Sequence, residues 1–174
     1  MDASAGATYL AKLVGDMRAT GEFFGDRLTV DLVQRVHGAR LSQIRPCDEF
    51  GEPSGSLFGH VARVETADPL WQEYALAYVR PDKEGNGVLR EMTQALMQGV
   101  PPHISLFAIT KRTPVMKVLM ANRFIPATAS WLDVEEFRQK VGLEQSRVPP
   151  SARSLDLPHP QEGTRYLFIR RAGQ

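Results

Sequence analysis

Glu73-Tyr74-Ala75-Leu76-Ala77-Tyr78-Val79-Arg80-Pro81 runs straight into Asp82-Lys83-Glu84-Gly85-Asn86-Gly87 and then into Val88 to Met97, and this stretch decides the fold. The first piece is apolar, rich in β-formers and closed by proline, which predicts a strand. The second is a glycine turn, and the third carries the spacing of a helix. A strand that feeds a glycine turn and a helix aims backbone N–H groups and the positive helix end at one point. Such a point attracts an anion, most often a phosphate or pyrophosphate.

Downstream, Gly99-Val100-Pro101-Pro102 stops the helix, and His103 to Thr110 is a near-continuous apolar run of the kind that forms a strand covered on both faces. Thr113-Pro114 then opens a helix, with threonine able to cap and proline suited to the first turn, and Asn122-Arg123 ends it. Ile125 to Val134 is expected to be a strand, Val134 to Val141 a short helix, proline-rich Ser146 to Gly163 a long connection, and Thr164 to Arg170 a last strand. Upstream, Ser56 to Glu65 and Ala39 to Arg45 read as strands around a polar hairpin loop, Asp48 to Gly55. Before them, Thr8 to Arg18 has Leu10, Leu13, Val14 and Met17 on one face, and Leu28 to Val36 is a second helix with Thr29 or Asp31 at its start and Gly38 at its end. The pattern is α/β: a mixed, mostly antiparallel sheet with a central parallel strand pair and helices on both faces.

Composition narrows the function. With 174 residues the chain suits one domain, and 43% apolar against 24% charged residues is ordinary for a soluble globular protein. A net charge of +1 calls for no nucleic-acid partner. One cysteine, Cys47, excludes an internal disulfide and fits a reducing cytoplasm. No run approaches the roughly 18 apolar residues of a membrane span, and the first residues lack the pattern of a secretory signal. His37, His60, His103 and His159 are scattered without ligand spacing, so no metal site is expected.

The order of elements and the stretch from Glu73 to Phe124 resemble the GNAT superfamily of acyl-CoA-dependent N-acyltransferases. That family carries Val-x-Pro at the end of its fourth strand, here Val79-Arg80-Pro81, then a pyrophosphate loop of the pattern Gln/Arg-x-x-Gly-x-Gly/Ala, and later a closing Gly-Phe, here Arg123-Phe124. The resemblance implies a single GNAT-like domain over 1–174, with a helical N-terminal part at about 7–38 and a cofactor-binding core at about 56–134. Besides Arg123 in the closing pair, it departs from the family pattern at four places. Glu84 stands where Gln or Arg is usual, Leu89 replaces the second Gly or Ala, Leu119 occupies the position of a tyrosine general acid, and Arg112 lies near a customary asparagine.

What the resemblance implies is an acetyl-CoA-dependent N-acetyltransferase acting on a primary amine of a small molecule or peptide. In the family the fourth and fifth strands splay, and the pantetheine arm enters between them. Tyr78 and Val79 would then supply backbone groups to that arm, an N–H there polarising the thioester carbonyl. Lys83, Gly85, Asn86, Gly87, Val88, Leu89 and Arg90 would meet the phosphates, with Arg112 as a further cation. Glu73 is the candidate base for the acceptor amine. Tyr74 and Tyr78, two strand periods apart, are expected on one face, Trp71 and Phe23-Phe24 as core or acceptor pocket, and the last strand as an edge that a second copy would cover. The alternative is a related acyl-CoA-binding sensor or interaction module without turnover, which Glu84, Leu89 and Leu119 favour.

Overall fold

Where the apolar period changes from two to three-and-a-half residues, the backbone changes with it. The computed structural model describes residues 3–21, 28–45, 54–130, 132–153 and 163–173. Among them are α1 (Ala3–Ala19), α2 (Val30–Arg35), β1 (His37–Arg45), β2 (Ser54–Glu65), β3 (Trp71–Val79), α3 (Val88–Gln98), β4 (Ser105–Thr110), α4 (Thr113–Ala121), β5 (Ile125–Pro126), α5 (Val134–Val141) and β6 (Tyr166–Arg170). The strands run in the order β1-β2-β3-β4-β6-β5. β3 and β4 are parallel, pairing Trp71 with Ser105, Gln72 with Leu106 and Glu73 with Phe107. β6 is antiparallel to both β4 and β5. The fold class is therefore α/β, with the single central parallel pair that the sequence predicts.

The chain divides into two compact units, Met1–Ala62 with Leu76–Leu96, and Arg63–Ala75 with Met97–Gln174. In the first, Leu13, Val14 and Met17 of α1 pack with Leu28, Val33 of α2 and Tyr78 of β3, and Leu10 joins from the edge. That spacing puts the α1 residues on one helical stripe, which is why this segment is a helix. The Arg18 guanidinium ties the chain back by donating from Nε and Nη2 to the Leu28 carbonyl at 3.0 and 2.5 Å. Thr29 caps α2, its hydroxyl accepting from the Leu32 N–H at 3.1 Å.

In the second unit, Trp71, Phe107, Phe137, Val141, Leu143, Leu167 and Ile169 form the core. Phe137 of α5 stands edge-on to Trp71 and to Phe107, with ring centroids 4.9 and 5.2 Å apart. Each such pair adds about 0.5–1.5 kcal/mol beyond the area it buries. Leu167 and Ile169 point into this core while Phe168, on the opposite face by strand alternation, is also fully buried. Both faces of β6 are thus covered, which explains its continuous apolar run.

Several expectations change. The strand expected over Ile125 to Val134 is only Ile125–Pro126, because Pro126 fixes its own φ at −56° and a 3-10 turn over Ala127–Ala129 follows, closed by the Ser130 hydroxyl donating to the Ala127 carbonyl at 2.7 Å. Gly38 does not end α2. The helix stops at Arg35 because Val36 takes an extended backbone (φ −77°, ψ 151°), and Gly38 lies in β1. Thr113 is not the cap of α4; that position belongs to Arg112, which makes no side-chain cap bond. The terminal strand is not an open edge, since β5 pairs with it at Phe168 and Ile169. β3 starts and ends two residues earlier than expected, at Trp71 and Val79. The hairpin loop around Asp48 to Pro53 and the pair Phe23-Phe24 lie outside the described residues.

Candidate cofactor-binding site

Three consecutive residues of β2 carry the end of β3. The Phe58 carbonyl accepts from the Arg80 N–H at 2.8 Å. At Gly59 a Cβ would stand 2.5 Å from the Tyr78 carbonyl oxygen and 2.7 Å from the Met92 methyl of α3, so only glycine allows strand and helix to approach this closely. His60 is fully buried and turns Nδ1 toward the Leu76 carbonyl at 3.4 Å. Leu76 itself has φ +56°, a left-handed backbone in the middle of a strand. Trp71, Tyr74 and Tyr78 are the buried residues of β3.

After Val79 the chain makes a 3-10 turn, Pro81–Lys83, and then the glycine loop. Gly85 and Gly87 both lie in the left-handed region, at φ +77° and +78°, with nothing within 4 Å of where a Cβ would be. Alternating hands of this kind turn successive N–H groups to one side. The Gly87 carbonyl accepts from the Glu91 N–H at 3.0 Å, so Gly87 is the cap of α3. The N–H groups of Val88, Leu89 and Arg90 therefore have no carbonyl one turn back to bond. They open α3 beside an exposed loop, where an anion would meet both these donors and the helix dipole.

The charges around the loop are partly spoken for. Arg80 donates from Nε and Nη2 to the two carboxylate oxygens of Asp82 at 2.6 and 2.5 Å, which holds the Asp82 carboxyl below the usual range. Lys83 sits 4.7 Å above the centre of the Phe58 ring and 3.9 Å from Asp82. Asn86 donates to the Glu84 carbonyl at 3.2 Å and tightens the loop. Glu84 and Arg90 are both exposed, one of each sign.

Tyr78 is buried against α1 and α2, and its phenol is pushed above its ordinary range, first by burial and then by the charge of Asp16. Its side chain is thus held protonated in the core, leaving its backbone as the part able to serve a ligand. Tyr74 is also buried but belongs with Phe124, edge-on at 6.1 Å, so the two tyrosines do not share one packing site. The left-handed Leu76 between them upsets the simple alternation. Trp71 is core, not pocket lining. Leu119 is completely buried.

The strand, loop and helix start thus bring Tyr78, Val79, Lys83, Gly85, Asn86, Gly87, Val88, Leu89 and Arg90 onto one continuous segment of the first unit. Glu73 and Arg112 belong to the second. Glu73 accepts from Arg147 Nη2 at 2.5 Å, an ion pair with the glutamate side chain 14% exposed. Arg112 occupies the cap of α4 with an extended backbone. Sequence reasoning missed Arg147, which lies 74 residues from its partner and has no local signal. It also missed the support from Phe58, Gly59 and His60, for which a glycine inside a strand was the visible sign.

No protein-family description matches the chain, and no curated protein does. Among solved structures, the chain is similar to N-acetylglutamate synthase from Neisseria gonorrhoeae, determined with coenzyme A and L-arginine, at 16% identity and a TM-score of 0.43. The match covers 92% of this chain and 32% of that one, so the chain spans about a third of that protein's length. It is also similar to a "putative acetyltransferase" from Agrobacterium tumefaciens, at 12% identity and a TM-score of 0.26, over 97% of this chain and 90% of that one. Among the described residues no helix is long and apolar enough to cross a membrane.

Proposed function

We propose that the chain is an acyl-CoA-dependent N-acyltransferase of the GNAT type, taking acetyl-CoA as donor and a primary amine as acceptor. The observation that carries this reading is the pair of left-handed glycines, Gly85 and Gly87, between the end of β3 and the first turn of α3. The cradle fits a pyrophosphate: its donors are backbone N–H groups, the space in front of both glycines is free, and Arg90 balances the charge of Glu84. Bound acetyl-CoA supplies a thioester whose acyl carbon an amine can attack.

The chain's own residues then divide the work. The amides of Gly85 to Leu89 bind and orient the phosphates, and the helix dipole adds to their pull. The backbone of Tyr78 and Val79, past the left-handed Leu76, orients the thioester arm and offers an N–H to its carbonyl. Glu73 takes the proton of the attacking amine, directly or through water, while Arg147 holds its Oε1. Thiol release with a panel of primary amines tests the reading. Turnover in the wild-type protein, reduced about 10²-fold in Glu73→Gln with acetyl-CoA affinity unchanged, is expected for a general base. An acyl-CoA-binding module without turnover is the second reading. Leu119 favours it, because a buried leucine has no proton to give a leaving thiolate. Tight acetyl-CoA binding without thiol release from any amine would decide for that module.

A further inference from the structure

Leu76 is the one left-handed residue inside a described strand, and a branched side chain at φ +56° does not stay there unaided. Strain of this kind marks a place where the surroundings over-determine the backbone. Here the Leu76 side chain packs against the first unit's core, and its carbonyl oxygen meets Nδ1 of His60. A carbonyl oxygen only accepts, so this contact requires the proton on Nδ1. His60 itself is fully buried, on β2, next to the glycine that admits the Tyr78 carbonyl. An imidazole there is a costly choice for filling space, because burying a polar ring is unfavourable unless it is used.

We infer that His60 is a positioning residue: its Nδ1–H holds the Leu76 carbonyl, fixes the left-handed backbone of Leu76, and so sets the backbone of Ala77 to Val79 for the acyl-CoA arm. The last clause rests on the acyl-CoA reading; the hold on Leu76 does not. A histidine that merely packed would be replaced by leucine without consequence for the backbone of β3. A histidine that acts through its donor is replaced only by a residue with an N–H at the same place. Asparagine, whose Nδ2 lies near the position of Nδ1, is that residue.

The test joins NMR of the ligand-free protein to acetyl-CoA titration, in the wild type, His60→Leu and His60→Asn. In the wild type the His60 ring is expected as the Nδ1–H tautomer, and the Leu76 Cα and Cβ shifts and amide coupling report positive φ. His60→Asn keeps both the positive φ and the affinity within about threefold. His60→Leu relaxes Leu76 to ordinary extended backbone and loses about tenfold in affinity, the worth of one buried hydrogen bond of this kind. An Nε2–H tautomer in the wild type overturns the inference even if His60→Leu does not fold. So does positive φ at Leu76 in His60→Leu with unchanged affinity. If Leu76 relaxes in His60→Leu but the wild type binds no acetyl-CoA, the hold on Leu76 stands, and its link to a cofactor falls together with the acyl-CoA reading.

Discussion

The chain makes two strand-to-helix steps, β3 to α3 and β4 to α4, and only the first passes through a glycine loop with two left-handed residues. In the first, a 3-10 turn and two left-handed glycines separate strand from helix, and the opening N–H groups of α3 have no carbonyl one turn back to bond. In the second, two residues suffice. Lys111 and Arg112 pass directly into α4, Arg112 caps it in an extended conformation, and Pro114 removes one of the N–H groups an anion would use. Both steps end in a helix start with the same dipole, and the second has more positive charge beside it. On the proposed reading, the difference teaches that the loop presenting the amides makes the anion site, and that a helix end with nearby cations does not make one by itself.

Substitutions can break that contrast. The largest effect is expected from Gly87→Trp. The side chain has room in the free protein but must stand where the phosphates would lie, on a backbone that disfavours it, so acetyl-CoA affinity should fall more than about 100-fold while the fold survives a loss of about 1 kcal/mol. Calorimetric titration paired with thermal melting separates the two. Next comes Gly59→Val, which drives methyl groups into the Tyr78 carbonyl and Met92; overpacking at such a place costs about 1–3 kcal/mol, readable as a lowered denaturant midpoint.

Smaller effects sharpen the contrast from the other side. Arg123 follows α4 at φ +66°, with its N–H on the Met120 carbonyl at 3.1 Å and the Phe124 N–H on the Leu119 carbonyl at 3.1 Å. This is the helix ending that glycine normally occupies, and α5 does use glycine, Gly142, in the same hydrogen-bond pattern. Arg123→Gly should therefore stabilise the protein by about 0.5–1 kcal/mol in urea unfolding, with no change in acetyl-CoA affinity. Arg112→Ala should do least, changing acetyl-CoA affinity by no more than about threefold in the same titration. A tenfold loss there would mean that the second step also serves the phosphates.

The legible parts of the molecule were those whose cause is local. Gly85 and Gly87 declare their loop because few other residues tolerate its backbone, and the stripe of Leu10, Leu13, Val14 and Met17 declares α1. The parallel pair was readable because both strands are short apolar runs joined by a helix. What the sequence hid is imposed from elsewhere in the fold. Leucine gives no hint of φ +56°, since Leu76 is held by its packing and by a histidine 16 residues away. Arg123 hid a left-handed turn in the same way, because two backbone hydrogen bonds outweigh its own preference. Arg147 could not be matched to Glu73 by any local rule. The strand misjudged after Phe124 failed for a local reason that was visible: Pro126 cannot donate to a ladder and the small residues after it turn readily.

Titration of the wild-type protein with acetyl-CoA, with CoA, ATP and NAD beside it and Gly87→Trp as the control, tests the central claim most directly. Micromolar binding to acetyl-CoA and to CoA, well above that to ATP or NAD and abolished in Gly87→Trp, is the expected result. No binding of acetyl-CoA at millimolar concentration, or binding that Gly87→Trp leaves intact, would contradict it.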